Sequence, residues 1–172
     1  MRKAKSITDK QADGVVYWLS DRHKVLFALL LQTGLRVSDG INLKVKDVNQ
    51  VMFIKEIKTK KERVVSVTDP LLRNLKQLCS GKNDSDYVFH SSRDASKHMH
   101  RTTFHRQIKK ALLWLDFDCS AHSTRKLFAM NAFRETGSIS KVQEILKHKY
   151  ITTTAAYLNI DIEKLIREAK PS

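Results

Sequence analysis

The chain has 172 residues, of which 41% are hydrophobic, and its 32 Lys and Arg against 18 Asp and Glu give a net charge of +14. This length suffices for one domain with a buried core, and no apolar run approaches the roughly 20 residues that a membrane-spanning helix needs. The basic excess indicates a polyanionic partner, most commonly nucleic acid. Charge alone does not exclude a merely basic soluble protein.

Helix signals dominate the first part of the chain. The stretch Thr8–Gln11 is a capping box that opens a helix. A second, strongly apolar helix is predicted from about Arg22 to Gln32, stopping at Gly34. A short helix starting at Ser38 is expected to end near Val45.

The middle of the chain changes its period. The β-branched runs 51–54 and 64–67 flank the basic stretch KTKKER. This pattern predicts a small antiparallel hairpin or a three-stranded sheet, with residues 58–61 near its turn. Asp69 and Pro70 then open a helix over residues 71–78, because proline is favoured at the first helical position.

Helical spacing returns after the loop SGKNDSD. Further helices are predicted at about residues 102–115, 123–136, 142–147, 153–158 and 162–169, with Ser140 and Gln143 as the capping box of the helix that precedes His148. The predicted fold is mainly α with a small antiparallel β-sheet (α+β), in one domain that spans residues 1–172.

Several separate segments place a basic or phenolic residue at a helix end or in the hairpin. Singly, each has an ordinary explanation, such as a solvated charge or a tyrosine at the rim of the core. The segments are TGLRVSD with Arg36, EIKTKKER with Lys58, AHSTRK with His122 and Arg125, LKHKY with His148, and TTTAAYL with Tyr157.

Together these segments resemble the catalytic domain of the tyrosine recombinase (phage integrase) family, along nearly the whole chain. That family reads Arg…Lys…His-x-x-Arg…His…Tyr, and its first arginine lies in T-G-L-R followed by S-E/D, as in TGLRVSD. Its hairpin lysine precedes a K-E-R turn, which favours Lys58 over the neighbouring lysines. Its L-G-H box falls on residues 146–148, and His148 lies 23 residues after Arg125. The family nucleophile lies nine residues past that histidine, at Tyr157.

The resemblance implies cleavage of DNA strands and their rejoining through a covalent 3′-phosphotyrosine. Arg36 and Arg125 would clamp the non-bridging phosphate oxygens, because guanidinium forks are permanently charged and bidentate. Tyr157 would attack phosphorus. Lys58 would protonate the departing 5′-oxygen as general acid.

The remaining family positions have supporting roles. His122 would accept the tyrosine proton or hold the phosphate, and His148 would donate a hydrogen bond to a non-bridging oxygen. Asp39, at the acidic position after the first arginine box, would orient Arg36 or support His122. Tyr150, in the connection after His148, is expected to serve packing.

We expect no cofactor and no metal ion, since arginines supply the charge that a metal would otherwise provide. Cys79 and Cys119 stand in no metal-ligand spacing and are expected to be free thiols. The run KHMHRTTFHRQIKK contains three histidines, but its spacing fits no common zinc pattern. A basic, DNA-facing helix start is the favoured interpretation. The predicted DNA contacts are Lys60, Lys61, Arg63, Arg101, Thr102, Thr103, Arg106, Lys109 and Lys126.

Three positions depart from the family pattern. Lys126 stands where the family has a histidine, Gly40 where it has a leucine, and Lys147 where it has the glycine of L-G-H. If Lys147 is left-handed, its conformation costs about 1–2 kcal/mol. None of these changes removes a reacting group.

The resemblance also implies partners. These are a double-stranded DNA attachment site, three further copies in a homotetramer joined through the C-terminal helix at 162–169, and accessory DNA-bending or directionality proteins. No membrane partner is expected, and the expected location is the cytoplasm, associated with the nucleoid. The usual N-terminal core-binding domain has no counterpart in this sequence, which fits either a fragment or a short single-domain member.

Two other functions stay open. A non-catalytic DNA-binding regulator could retain the fold, and a type IB topoisomerase-like enzyme would use similar residues to relax DNA. The first is disfavoured because all six reacting positions are present, and the second by the short length and the L-x-H…Y spacing.

Overall fold

A computed structural model of the chain describes residues 6–94 and 96–160. Helices account for most of this part, as predicted. The elements are α1 (Asp9–Trp18), α2 (Asp21–Thr33), α3 (Val37–Ile41), β1 (Val51–Lys55), β2 (Glu62–Ser66), α4 (Asp69–Cys79), α5 (Arg101–Ala111), α6 (Ala121–Thr136), α7 (Ile139–Leu146) and α8 (Ile151–Leu158), with 3₁₀ turns at Val45–Asp47 and Leu112–Trp114.

The sheet within the described residues is the hairpin alternative, with two antiparallel strands that pair from Val51–Ser66 to Lys55–Glu62. The predicted fold class, mainly α with a small antiparallel sheet, is confirmed. No helix in residues 6–94 and 96–160 has the length and apolar character that a membrane span requires. The helix predicted at 162–169 lies outside the described residues.

Three predicted helix boundaries are wrong. Helix α5 ends at Ala111, before the 3₁₀ turn at Leu112–Trp114, rather than at residue 115. The short helix α3 ends at Ile41 rather than near Val45, because the Asn42 side chain donates to the Ser38 carbonyl, 2.8 Å away, and takes over one of the last acceptors. Helix α7 is capped by Ser138, whose hydroxyl accepts from the Lys141 N–H at 3.3 Å. Ser140 therefore lies inside this helix.

Helix α2 is the centre of the core. Leu26, Phe27, Leu29 and Leu30 are fully buried, and α2 packs against α1, α3, α4 and α6. A second, smaller apolar cluster lies between α6, α7 and α8, and Tyr157 packs against it. The last helix is thus held on the domain through α6 and α7.

The junction between α7 and α8 turns at a residue with a side chain. Lys147 has φ 53° and ψ 40°, the left-handed conformation, and its N–H donates to the carbonyls of Gln143 and Glu144. A Cβ in this conformation crowds the following carbonyl, which costs about 1–2 kcal/mol. The condition on which this cost depends is therefore met, and the cost itself stays a prediction.

A buried histidine lies in the first turn of α2. His23 is 5% exposed, its Nδ1 lies 2.7 Å from the Ser20 hydroxyl, and its ring stacks on Phe104. Burial, with a smaller contribution from the charge of Arg22, lowers the pKa of His23 to about 4. The folded chain therefore holds this imidazole neutral.

Replacing Lys147 by glycine should stabilise the chain, because glycine adopts the left-handed conformation without a Cβ penalty. We expect the free energy of unfolding in urea to rise by about 1 kcal/mol, with a melting temperature about 2–4 °C higher. Lys147→Ala removes the charged side chain but keeps Cβ and should give no such gain. Equal stabilisation by both variants would assign the effect to charge instead.

His23 should make stability depend on pH below neutrality. The unfolded chain takes up this proton near pH 6.5 and the folded chain only near pH 4, so the contribution of neutral His23 is complete above pH 6.5 and is lost as the pH falls. Between pH 7 and pH 5, wild type should lose about 2 kcal/mol more unfolding free energy than His23→Gln. Urea titrations at both pH values measure the difference, in which the other histidines cancel. Parallel losses would contradict the assignment.

Candidate active site

Arg36 directly precedes α3, just after the left-handed Gly34 that ends α2. Its side chain is 21% exposed, and its Nη1 lies 3.1 Å from Glu56 Oε2 and 3.9 Å from Asp39 Oδ2. The cation therefore faces a partly open space while two carboxylates approach it from the protein side.

Glu56 is fully buried at the end of β1 and is the acid that the sequence interpretation missed. The Thr59 hydroxyl donates to its Oε2 at 2.7 Å, and Arg63 Nη1 lies 3.7 Å from its Oε1. Burial raises the pKa of Glu56, but the Thr59 hydrogen bond and the charge of Arg36 act against it, and the pKa ends below its ordinary value. The side chain is therefore a carboxylate.

The sequence contained a signal for Glu56. Met52 and Ile54 are the inward-facing residues of β1, and the strand alternation extended by two residues places position 56 on the same face. A glutamate at an inward-facing position requires a cationic partner, since an unpaired buried carboxylate is costly. The partners come from elsewhere in the chain, so the strand pattern alone does not identify them.

Asp39 lies in α3 and is also buried. Its Oδ1 accepts a hydrogen bond from the Ile57 N–H at 2.9 Å, while its Oδ2 is the atom 3.9 Å from Arg36. Of the two roles predicted for Asp39, this geometry supports the contact with Arg36.

Arg125, in α6, is 2% exposed. Its Nη1 donates to the Gly34 carbonyl and its Nη2 to the Leu146 carbonyl, the latter at 2.8 Å. Burial, together with the positive charges of Arg36 and Arg63, lowers the pKa of Arg125 to about 10. The guanidinium thus stays charged at neutral pH in a site that already holds other cations.

Arg63 was predicted to contact DNA, but its side chain is buried. It is 3% exposed, its Nη2 donates to the Thr33 carbonyl, and its Nη1 lies 3.3 Å from the Gly34 carbonyl. With Glu56 at 3.7 Å, its hydrogen-bonding groups face the interior. The predicted DNA contact of Arg63 is therefore replaced by a structural role.

Lys126 is likewise directed inward. It is 8% exposed, and its Nζ donates to Asn159 Oδ1 at 3.2 Å. Asn159 ends α8 in the left-handed conformation, two residues after Tyr157. Lys126 therefore joins α6 to the end of α8 and does not offer its charge to an outside phosphate.

His148 follows the left-handed Lys147 and is half-buried. Its Nδ1 lies 3.0 Å from the hydroxyl of the buried Thr154, which fixes the ring between α7 and α8. Burial, then the charges of Arg125 and Arg36, lower the pKa of His148 to about 4. The ring is neutral at pH 7, so only one of its nitrogens can donate.

The two tyrosines near His148 differ in their surroundings. The Tyr157 ring lies 5.2 Å from the His148 ring, edge to face, and is partly buried against the second cluster. Tyr150 precedes α8, is 58% exposed, and carries Lys149 Nζ 5.0 Å above its ring. The prediction that Tyr150 serves packing is wrong, because its side chain lies at the surface.

His122 and Lys58 lie at the edge of this cluster. His122 is in the first turn of α6 with much of its ring exposed, and its pKa is lowered by partial burial and then by Arg125 and Arg36. Lys58 lies in the turn between β1 and β2, and its side chain is exposed. The predicted group thus consists of a largely buried floor with the exposed His122 and Lys58 at its rim.

The predicted DNA contacts on α5 form an exposed polar row. The helix begins at Arg101 with His100 as its N-cap, whose Nδ1 accepts from the Thr102 N–H at 3.4 Å. His100 therefore has a capping role. The exposed members of the row are Arg101, Thr102, Arg106 and Lys109, with Thr103 half-buried; Lys60 and Lys61 are exposed in the hairpin turn.

Residues 5–164 match the model of the phage integrase family. A tyrosine recombinase of Thermosipho africanus is 30% identical over 149 residues, covering 83% of this chain and 52% of the relative. The tyrosine recombinase XerA of Saccharolobus solfataricus is 28% identical over 150 residues, covering 86% and 49%. This chain thus spans about half the length of these two relatives.

Solved structures share the fold. A XerA recombinase superposes with a TM-score of 0.78 at 22% identity, over 100% of this chain and 67% of that one. A XerH site-specific recombinase bound to its difH substrate in a pre-cleavage complex gives 0.75 at 20% identity, over 98% and 55%. Because a single family model accounts for nearly the whole chain, the protein belongs to the phage integrase family and has the fold of the tyrosine recombinase catalytic domain.

Proposed function

We propose that this chain is the catalytic domain of a site-specific DNA recombinase that cleaves and rejoins strands through a 3′-phosphotyrosyl intermediate. The observation that carries the proposal is the position of Tyr157, whose ring packs on His148 at 5.2 Å beside the buried Arg125. The tyrosine recombinase relatives and the DNA-bound XerH structure support it.

The phosphate would lie over the two guanidiniums. Arg125 uses one N–H of each Nη on a main-chain carbonyl, which fixes its plane and leaves three of its five N–H groups for other acceptors. Arg36 is partly exposed and adds a second fork. Preorganised donors of this kind are typically worth about 3–4 kcal/mol each in the transition state.

In the cleavage step, Tyr157 Oη forms a bond to phosphorus as the bond from phosphorus to the 5′-oxygen breaks. His122 takes the phenolic proton, and the 5′-oxygen leaves with a proton from Lys58. Neutral His148 donates one hydrogen bond to a non-bridging oxygen. The new ester keeps the phosphate activated, so rejoining to a 5′-hydroxyl requires no ATP. Guanidiniums provide the charge, so the scheme is also independent of metal.

The proposed partners are a double-stranded DNA attachment site and further copies of the chain. A homotetramer on DNA joined by the C-terminal segment, and accessory proteins that bend DNA or set direction, belong to the same proposal. So does action in the cytoplasm on nucleoid DNA. A non-catalytic DNA-binding regulator or a DNA-relaxing enzyme would be revealed by the products of the experiments below.

Exposed cations on α5 are proposed to bind backbone phosphates. Each phosphate contact adds about 0.9 to the slope of log affinity against log salt, because binding releases condensed counterions. We expect Arg106→Gln to weaken duplex binding and to reduce this slope by about 1. Arg134→Gln, at an exposed arginine near the end of α6 that lies 3.8 Å from Asp9, should leave the slope unchanged. Equal changes of the slope in Arg106→Gln and Arg134→Gln would contradict a localised phosphate contact of Arg106.

Tyr157 should be the residue that becomes attached to DNA. Fragmented genomic DNA of the source organism is incubated with the chain, and SDS-resistant complexes are sequenced to locate the cleavage site. A nicked duplex with that site should then give a covalent complex with wild type and with Tyr150→Phe, and none with Tyr157→Phe. The reason is that the Tyr157 ring packs on His148, whereas Tyr150 lies at the surface.

The products distinguish the alternatives. An adduct that persists in Tyr157→Phe and disappears in Tyr150→Phe would reverse the assignment. Binding of the located duplex without any adduct would favour the regulator. Relaxation of plasmids that lack the site, at the same rate as plasmids that contain it, would favour the topoisomerase-like enzyme.

A further inference from the structure

The turn between β1 and β2 is closed by its own backbone. The Glu56 N–H donates to the Lys61 carbonyl and the Lys60 N–H to the Glu56 carbonyl, both at 2.9 Å. Lys60 adopts a left-handed conformation with φ 60°. Lys58 lies inside this turn with its side chain in solvent.

The residues on both sides of Lys58 are tied to buried carboxylates. Before it, the Ile57 N–H donates to Asp39 Oδ1 at 2.9 Å. After it, the Thr59 hydroxyl donates to Glu56 Oε2 at 2.7 Å. The turn that carries Lys58 is therefore attached to the protein interior at two points.

The same two carboxylates approach Arg36. Its Nη1 lies 3.1 Å from Glu56 Oε2, the oxygen that accepts from Thr59, and 3.9 Å from Asp39 Oδ2. The side chains of Asp39 and Glu56 are completely buried. Displacement of either carboxylate would therefore move the guanidinium and the turn together.

We infer that Thr59 is a positioning residue that, through Glu56, sets Lys58 relative to Arg36. The inference rests on the proposed function, in which Arg36 holds a non-bridging oxygen while Lys58 protonates the leaving oxygen of the same phosphate. Two such groups must be placed to within about 0.5 Å of the productive geometry. The lysine side chain is long and flexible, so the backbone of its turn is the part that the protein can fix.

A bond that merely stabilises the hairpin would affect every step equally. A bond that positions Lys58 would affect only the transfer of its proton. These two roles of the Thr59 hydrogen bond can be distinguished with a substrate in which sulfur replaces the bridging 5′-oxygen at the scissile phosphate. A thiol has a much lower pKa than an alcohol, so its thiolate leaves without being protonated. Cleavage of this bond therefore does not require a general acid.

The decisive variant is Thr59→Val, which has nearly the same shape but lacks the hydroxyl. On the located site in a nicked duplex, we expect adduct formation to slow about 10–100-fold for the oxygen substrate. For the sulfur substrate it should stay within about twofold of wild type, since no proton transfer is needed. Lys58→Ala should show the same selectivity with a larger loss.

Two control variants test whether the effect depends on the hydroxyl of Thr59. Thr59→Ser keeps the hydroxyl and should restore cleavage of the oxygen substrate. Thr68→Val removes a hydroxyl that donates to Gln32 Oε1 at 3.3 Å between β2 and α4, away from the turn, and should affect neither substrate. In a Lys58→Ala background, Thr59→Val should cause no additional loss, because the group that it positions is gone.

Equal slowing on both substrates would reduce Thr59 to a structural residue and overturn the inference. Wild-type rates on both substrates would overturn it as well. An additional loss in the Lys58→Ala background would show that Thr59 acts on something other than Lys58. If wild type forms no adduct with either substrate, the proposed function itself fails, which is a different result from the failure of Thr59 alone.

Discussion

The rest of the site depends on the hydrogen bonds that the carbonyl end of α2 accepts from buried guanidiniums. The carbonyls of Thr33 and Gly34 accept hydrogen bonds from Arg63, and the Gly34 carbonyl also accepts from Arg125. The negative end of the helix dipole faces the same guanidiniums and offsets part of their desolvation. Gly34 makes this possible, since its φ is +61° and a Cβ there would lie 2.3 Å from the Phe128 ring. One helix end thereby joins the apolar core to the charged floor.

The charges of this floor do not cancel. Three guanidiniums, Arg36, Arg63 and Arg125, lie with two carboxylates, Asp39 and Glu56, which leaves one surplus positive charge. Such a cluster suits a monoanionic phosphodiester, whose arrival would complete the neutralisation. Burial, and then the same positive charges, lower the pKa values of the nearby His122 and His148. The burial of this site and its cations therefore both favour neutral histidines.

The resemblance to the family motifs, in their order and spacing, predicted that Arg36, Arg125, His148 and Tyr157 would meet. Exposure was not predictable in the same way. Arg63 looked like one more surface cation of a basic turn, and its burial depends on carbonyls some thirty residues earlier in the chain. The role of Lys126 was predicted wrongly because its partner Asn159 is distant in the chain. Glu56 was missed because the strand alternation was not extended to position 56. Ser140 was predicted as a cap, but Ser138, two residues upstream, caps the helix.

Helix α8 has only eight residues and ends at Asn159, a left-handed residue with a side chain like Lys60 and Lys147 before it. A helix of this length is marginal without tertiary contacts, and only Thr154 and Ala155 are buried along it. Segments of this kind open locally at a lower free energy than the core around them. We therefore expect the amides of α8, which carries Tyr157, to exchange with solvent faster than those of α2. In the proposed reaction, Tyr157 can therefore leave and re-enter the site while the guanidiniums that bind the carbonyl end of α2 stay in place.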